Sequence, residues 1–542
     1  MYLRSLLISL LTTASLLGSK YPAEPFVSAV LSPETIKKVS EVHFPHITME
    51  QVPLHGLTAD KTAQDVYSQY LPFFIIQDGE NATLPVNTLP VSAWKAFNLY
   101  GNGSLLQCIK RTETRVGWAC LTHLLSLPAD AHTIAQRQRA IHSLLTSSDY
   151  QKLRSSLQKI RTCESDMIRW FMHIVGLKKI NRHPTFGYDY PTALAVMHKL
   201  IFPAFLGTMG GIFGFSAYTA YVQGNYGDMA STGLVGSCCM AGWVMLFNDE
   251  RLFIRHTRTI LTSLAQIVEE AQKMVTIIKE NPALAELPDF RGLTGFFDEA
   301  WKNTDIQKLL GLLKAKTFNP NTSAWFDLGY EKNVIAARYQ LVMTQGPVKD
   351  LLRGIGLVDA HLSIASLIKN YQDTDHPYSL VTFVDDEKPY LSLKNAWSPY
   401  TSNPSEHLSL TCGRGAPQHL ILPNPDTDAI KTLQACALLA HTFGIAPAQE
   451  ATMSHFSLFH TCKTTDHYGL SERLVPFTFS ALHGLILYQQ DNVARFDHFL
   501  KIVAPQLAQT GQYLMIAATS SPDAQELTKS GFGTLAQVPT HA

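Results

Sequence analysis

The chain has 542 residues, 46% of them hydrophobic, with 44 basic side chains against 44 acidic ones. That length allows two to four domains and a sizeable core. A net charge of zero excludes a global basic field that would draw the whole molecule to nucleic acid, although a local patch is compatible with it. The eight cysteines form no CxxC or Cys/His metal spacing, so they read as small buried hydrophobes with no disulfide assigned.

Residues 1–19 place one arginine before an apolar run of about a dozen residues and then small residues, the layout of a secretory signal or an anchor. Residues 20–89 scatter Pro, Gly and Asn, with a short helix expected over Asp60–Tyr70. A buried strand or helix edge is expected at 71–76, and Asn81 opens a glycosylation sequon.

From residue 90 to 198 the pattern is helical. Leu105, Ile109, Val116, Leu121, Leu124 and Leu125 are spaced for apolar helix faces, and Pro128 and Asp130 break the run before it resumes at His132. Gly103-Ser104-Leu105-Leu106, Thr112, Thr114, Gly117, Leu127-Pro128, Ile134 and Arg137-Gln138 stand in order over about forty residues. This series resembles the lever segment of the MutS family of DNA mismatch-repair ATPases, which reads GSLL, TxTxxGxRLL, LxxPL and IxxRQ. The resemblance implies helix packing for these residues. The family's mismatch-reading and connector domains have no counterpart here.

Residues 199–248 hold two uncharged runs, Leu200–Val222 of 23 residues and Met229–Phe247 of 19, around the six residues QGNYGD. About twenty apolar residues span a bilayer, so the pair predicts a transmembrane helical hairpin in an inner or plasma membrane. A buried hairpin of a soluble bundle is the competing reading. Gly207/Gly211 and Gly210/Gly214 have the spacing of close helix contact. Lys178, Lys179, Arg182, Lys199, Arg251, Arg255 and Arg258 flank the outer ends, whereas the turn carries no basic residue. The positive-inside rule then puts both bodies in the cytoplasm, in conflict with an export signal at residues 1–19, which would put them outside.

Residues 249–385 continue the helical core. Arg251–Glu280 is a long amphipathic helix, and Gly356, Asp359, Ser363, Ile364 and Ala365 match the helix that closes the MutS core. That match implies a structural role for Asp359 rather than an acid catalyst. KPYLSLKNAWSPYTS (388–402) matches the strand entering the family's ATPase domain, with Ser398 at the family's His.

Residues 386–542 complete a fold class of α + α/β: a helical lever/core with the inserted hairpin, followed by a P-loop NTPase-like, ABC-type α/β domain. Leu420–Leu422 forms a strand, a turn follows, and an apolar helix runs to FGIAPA. In the family the loop reads roughly GPNxGGKST. Pro423 and Asn424 match it. Counting forward, Asp426 and Thr427 replace glycines, Asp428 replaces the Lys and Ala429 replaces the Ser; counting backward from Pro447-Ala448 puts Asp426 at the Lys position. A P-loop needs backbone N–H groups around the phosphates, a Lys on the β/γ oxygens and a hydroxyl on Mg²⁺. Either register sets a carboxylate where a polyphosphate would lie, and like charges there repel. Lys431-Thr432 is out of register. Gly413-Arg414-Gly415 opens no helix. Gln489-Gln490 of LILYQQD stand where the family's metal-binding Asp-Glu follows a strand, unless LHGLILYQQ is a helix and the motif is gone. Ser520 replaces the His of the Ala-Thr-His strand end. His460, His467 and His483 have no metal-binding spacing.

These residues predict a membrane-anchored pseudo-ATPase with no catalytic residue, no metal ligand and no cofactor, ATP and Mg²⁺ being implied by the resemblance alone. Pro423, Asn424, Asp428 and Ala429 mark the degenerate loop. The resemblance implies a homodimer through the ATPase-like domain. DNA binding of the mismatch-repair type is the alternative it carries, and an exported structural protein is the reading if the signal is real.

Overall fold

The computed structural model describes residues 76–78, 81–83, 99, 104–127, 129–176, 202–299, 302–319, 330–385, 388–400, 407–416, 419–422, 428–463, 475–476, 483–489, 513–518 and 534–535. Residues 1–19 and the helix expected over Asp60–Tyr70 lie outside them. The chain divides into two compact units: residues 1–30, 162–272 and 295–349 form one, and residues 31–161, 273–294 and 350–542 form the other. The class is mixed, with much helix and several small or mixed sheets.

A short antiparallel hairpin, β1 (Ile76–Asp78) and β2 (Asn81–Thr83), comes first. The helices that follow start where the sequence supplies caps. Ser104 caps α1 (Leu105–Ile109), Thr114 caps α2 (Arg115–Leu125), and Asp130 caps α3 (Ala131–Thr146), each side chain accepting a hydrogen bond from a backbone N–H three residues on. Next come α4 (Asp149–Gly176), α5 (Phe202–Val222) and α6 (Tyr226–Glu280). The expected six-residue turn between the two apolar runs is three residues long, because Tyr226, Gly227 and Asp228 already belong to α6. The amphipathic helix expected over Arg251–Glu280 is the second half of α6. The glycines expected to draw the hairpin together do not meet a neighbour: among the described residues nothing lies within 4 Å of a Cβ built at Gly207, Gly210, Gly211 or Gly214.

The chain continues through α7 (Pro282–Ala285), α8 (Arg291–Glu299), α9 (Thr304–Leu313), α10 (Tyr330–Met343) and α11 (Gln345–Tyr371). Among the described residues one helix, Gly346–Tyr371, is long and apolar enough to cross a membrane, and 94% of its most apolar stretch is buried. A helix apolar on every side suits a protein core as well as a bilayer, and Leu351, Ile355, Val358, Ile364 and Leu367 are core residues here. The α5 run falls short of that apolarity; its glycines, tyrosines, Ser and Thr dilute it.

The β-rich part begins with β3 (Ser379–Leu380), β4 (Thr382–Val384), β5 (Leu391–Ala396) and β6 (Leu408–Cys412), then β7 (His419–Leu422), α12 (Asp428–Phe443), β8 (Ile445–Ala446) and β9 (Glu450–Ser454). It ends with β10 (Phe456–Lys463), β11 (Val475–Pro476), β12 (His483–Gln489), β13 (Tyr513–Ala518) and β14 (Thr534–Leu535). A four-stranded mixed sheet has the order β4-β9-β5-β6. A six-stranded sheet runs β11-β10-β12-β13-β7-β14, with every pair parallel except β10 with β11. LHGLILYQQ, open between helix and strand in the sequence, is strand over β12. Its parallel neighbours on both sides, β10 and β13, require an extended chain between them.

Candidate functional site

Parallel sheets bind ligands at the carboxyl ends of their strands, where connections leave toward opposite sides. In the six-stranded sheet this point is β7. The chain leaves β7 through α12 toward β10, and later passes from β13 to β14 on the other side of β7. The register then brings separate sequence motifs onto one row. Lys463 pairs with Gln489, Gln489 with Ala518, and Ala518 with Leu422. So Leu422, Gln489 and the end of the YLMIAA strand are level at one edge.

Pro423, Asn424, Asp426 and Thr427 lie outside the described residues, as do Gln490, His467 and Ser520. Asp428 is the first residue of α12, and Ala429 beside it is half-buried. A carboxylate at a helix start is favourable for the helix itself, since the unpaired N–H groups carry partial positive charge. The same charge opposes a phosphate there. Lys431 and Thr432 lie within the first turns of α12, and Thr432 is buried. Gly413-Arg414-Gly415 turns into β7 and not into a helix, as the sequence implies. No group of His, Cys, Asp and Glu among the described residues could hold a metal ion.

The helix body is core: Ile430, Leu433, Ala435, Leu438, Leu439 and Phe443 are buried, and α12 packs on β12, α2 and α3. Its far end is held by side chains from α3. Arg137 Nη1 donates to the Thr442 carbonyl at 2.6 Å, and Gln138 Nε2 donates to the carbonyls of Gly444 and Val381 at 2.7 and 2.8 Å. Gly444 ends the helix at φ +70°, a left-handed position that favours glycine.

Arg137 also belongs to a buried ionic cluster that the sequence did not single out. Its Nε and Nη2 donate to Asp289 Oδ2 and Oδ1 at 2.8 and 3.2 Å, and His361 Nε2 donates to Asp289 Oδ2 at 2.8 Å. Burial pushes the Asp289 carboxyl up, but Arg137 and His361 outweigh it and hold it well below the usual carboxylate range. Burial pushes His361 down, against the pull of Asp289. Arg137 and Gln138 could be found from the IxxRQ match; Asp289 and His361 carried no motif.

Asp359 lies in a second cluster. Thr114 N and Oγ1 donate to its Oδ2 at 2.7 and 2.6 Å, and Glu113 N donates to Oδ1 at 3.0 Å. Thr114 Oγ1 accepts in turn from Gly117 N, and Ser363 Oγ accepts from Arg111 N at 2.7 Å. A Cβ at Gly117 would lie 2.0 Å from Asp359 Oδ2, and one at Gly356 would lie 2.6 Å from Cys120 Sγ. These two glycines let α2 and α11 approach. Full burial pushes the Asp359 carboxyl up to about 6 despite its three donors. Its hydrogen-bond donors are two backbone N–H groups and one hydroxyl at the start of α2, so Asp359 ties α11 to that helix start.

No protein-family model matches the chain, and no curated protein matches it.

Proposed function

We propose that the chain is a membrane-anchored protein of MutS type whose ATPase-like domain is a non-catalytic scaffold. The observation that carries this reading is pairwise. Residues matched to the family 245 positions apart, Thr114 and Asp359, hold each other, and Arg137-Gln138 hold the carbonyls of Thr442 and Gly444 at the helix end. The strand ends that would carry nucleotide chemistry share one row, yet hold Gln489 and lead to Asp428 where the chemistry needs an acid and a lysine. Shape is kept and the phosphate-handling groups are replaced.

In this reading the domain serves dimerisation or partner docking. The segment 199–248 anchors it as a two-span hairpin, and the basic flanks favour bodies in the cytoplasm. Titration calorimetry on the detergent-solubilised full-length chain, with ATP and Mg²⁺ and then with a mismatched DNA duplex, tests it. No heat from either at millimolar nucleotide, together with a dimeric mass in light scattering, is the expected result. Saturable ATP binding that DNA strengthens would overturn it in favour of a working mismatch-repair-type ATPase.

A further inference from the structure

Among the described side chains of α5, large apolar ones next to the turn are exposed. Phe215, Tyr218, Tyr221 and Val222 are all more than half exposed, as is Leu234 on the returning helix. Phe215, Tyr218 and Val222 follow i, i+3, i+7 spacing and so share a face, and Tyr221 lies one turn beyond Tyr218. Gln223, Gly224 and Asn225, also exposed, form the turn. A helix of 21 residues is about 32 Å long at 1.5 Å per residue, close to the hydrocarbon thickness of roughly 30 Å.

The residues that lower the apolarity of α5 are the ones a bilayer accommodates. Glycine is common inside membrane helices, and tyrosine is enriched at the interface, where the ring meets acyl chains and the hydroxyl meets water. Tyr221 and Tyr218 lie three and six residues before Gly224, which is about 4 and 9 Å below the turn. The headgroup layer on each side is roughly 5–7 Å deep. With the turn in water, Tyr221 therefore lies within that layer and Tyr218 just below its inner edge. Ile212, Phe215, Tyr218, Tyr221 and Val222 spread over about half the circumference of α5, a wider arc than the narrow seam of a helix partner, which suits a lipid phase.

Resting on the reading of 199–248 as a membrane anchor, we propose that Tyr218 and Tyr221 set the depth of the hairpin in a phospholipid bilayer. Their phenol rings seat about the inner edge of the headgroup layer of the far leaflet, and Gln223–Asn225 emerge in the water beyond it.

The test uses the full chain in membrane vesicles, with Cys238→Ser and Cys239→Ser as background and Asn225→Cys as reporter, and labelling is read as the excess over the same chain with Asn225 in place, because six native cysteines remain. Carbonate extraction reports anchoring, and a membrane-impermeant maleimide reports the turn. Carbonate-resistant protein, labelled only from the side opposite the carboxy terminus, is expected. Tyr218→Leu with Tyr221→Leu should leave extraction unchanged and reduce labelling severalfold, and Trp at both positions should restore it. Labelling of the double Leu variant equal to the parent's would overturn the role of the tyrosines. Labelling from the side of the carboxy terminus would overturn the crossing while leaving the anchor. Release of the parent by carbonate would remove the anchor and this proposal with it.

Discussion

The two ends of α12 differ in what holds them. At the carboxyl end, Arg137 and Gln138 occupy the carbonyls of Thr442 and Gly444, and Ala129 N donates to the His441 carbonyl at 2.9 Å. His441 Nδ1 donates to Ala437 O, and its Nε2 accepts from Phe456 N. At the amino end the helix opens on Asp428, after a loop with no Gly-Gly-Lys. Many neighbours share the first end, so a change there disturbs several contacts together. The chemistry of a P-loop rests on a few groups at the second, which can be replaced without touching the core. The comparison teaches that the packing of α12 and the chemistry proposed for its amino end depend on different residues of one helix.

The largest blow to the locked end is removal of Asp289. Asp289→Ala leaves the Arg137 guanidinium buried without its carboxylate and removes the acceptor of His361. Losing one partner of a buried ion pair costs about 3–5 kcal/mol. Chemical denaturation should show that loss, and a change below about 1 kcal/mol, the size of a surface ion pair, would erase the contrast between the two ends.

Acid should attack the same end. Burial pushes His123 and His441 down to about 3 and lowers His361 as well. A lowered folded pKa gives stability that is present above the unfolded value near 6.5 and lost as pH falls toward the folded one. Asp359 has the opposite sign: its raised pKa favours the folded state as pH falls from about 6 to its unfolded value. The two histidines near 3 against one aspartate near 6 leave about one net proton taken up on unfolding near pH 5, or about 1.4 kcal/mol per pH unit, and the lowered His361 and His455 add in the same direction. Melting temperature measured from pH 7.5 to 5 should fall steadily, and His441→Gln should flatten the slope by about one proton's share. A flat profile would show that these imidazoles are not buried as neutral groups.

Much of this frame was legible because its signals are local. The break at Pro128 and Asp130 precedes a helix start, and Leu420–Leu422 is strand as its apolar pattern suggests, with α12 after it. Gly117 and Gly356 were marked by resemblance, and each proves to be a point of close helix approach. The Asp289 cluster was not legible, since its partners lie 152 and 72 positions away and no spacing rule joins them. Periodicity could not separate strand from helix in LHGLILYQQ, a short apolar run whose state is decided by the strands beside it.

The smallest effect sharpens the comparison most. Asp428→Ala removes the charge at the open end of α12, where a carboxylate is worth about 0.3–1 kcal/mol to the helix. Stability should fall by no more than that, against the several kcal/mol expected at Asp289. The variant also lifts the like-charge repulsion from the place where a phosphate would lie. If ATP still does not bind, the missing glycines and lysine are sufficient to silence the loop, because removing one charge supplies neither the backbone N–H cradle nor the cation. If ATP binding appears in Asp428→Ala, that single carboxylate was the barrier, and the row formed by Leu422, Ala518 and Gln489 would be a nucleotide site held closed by one residue.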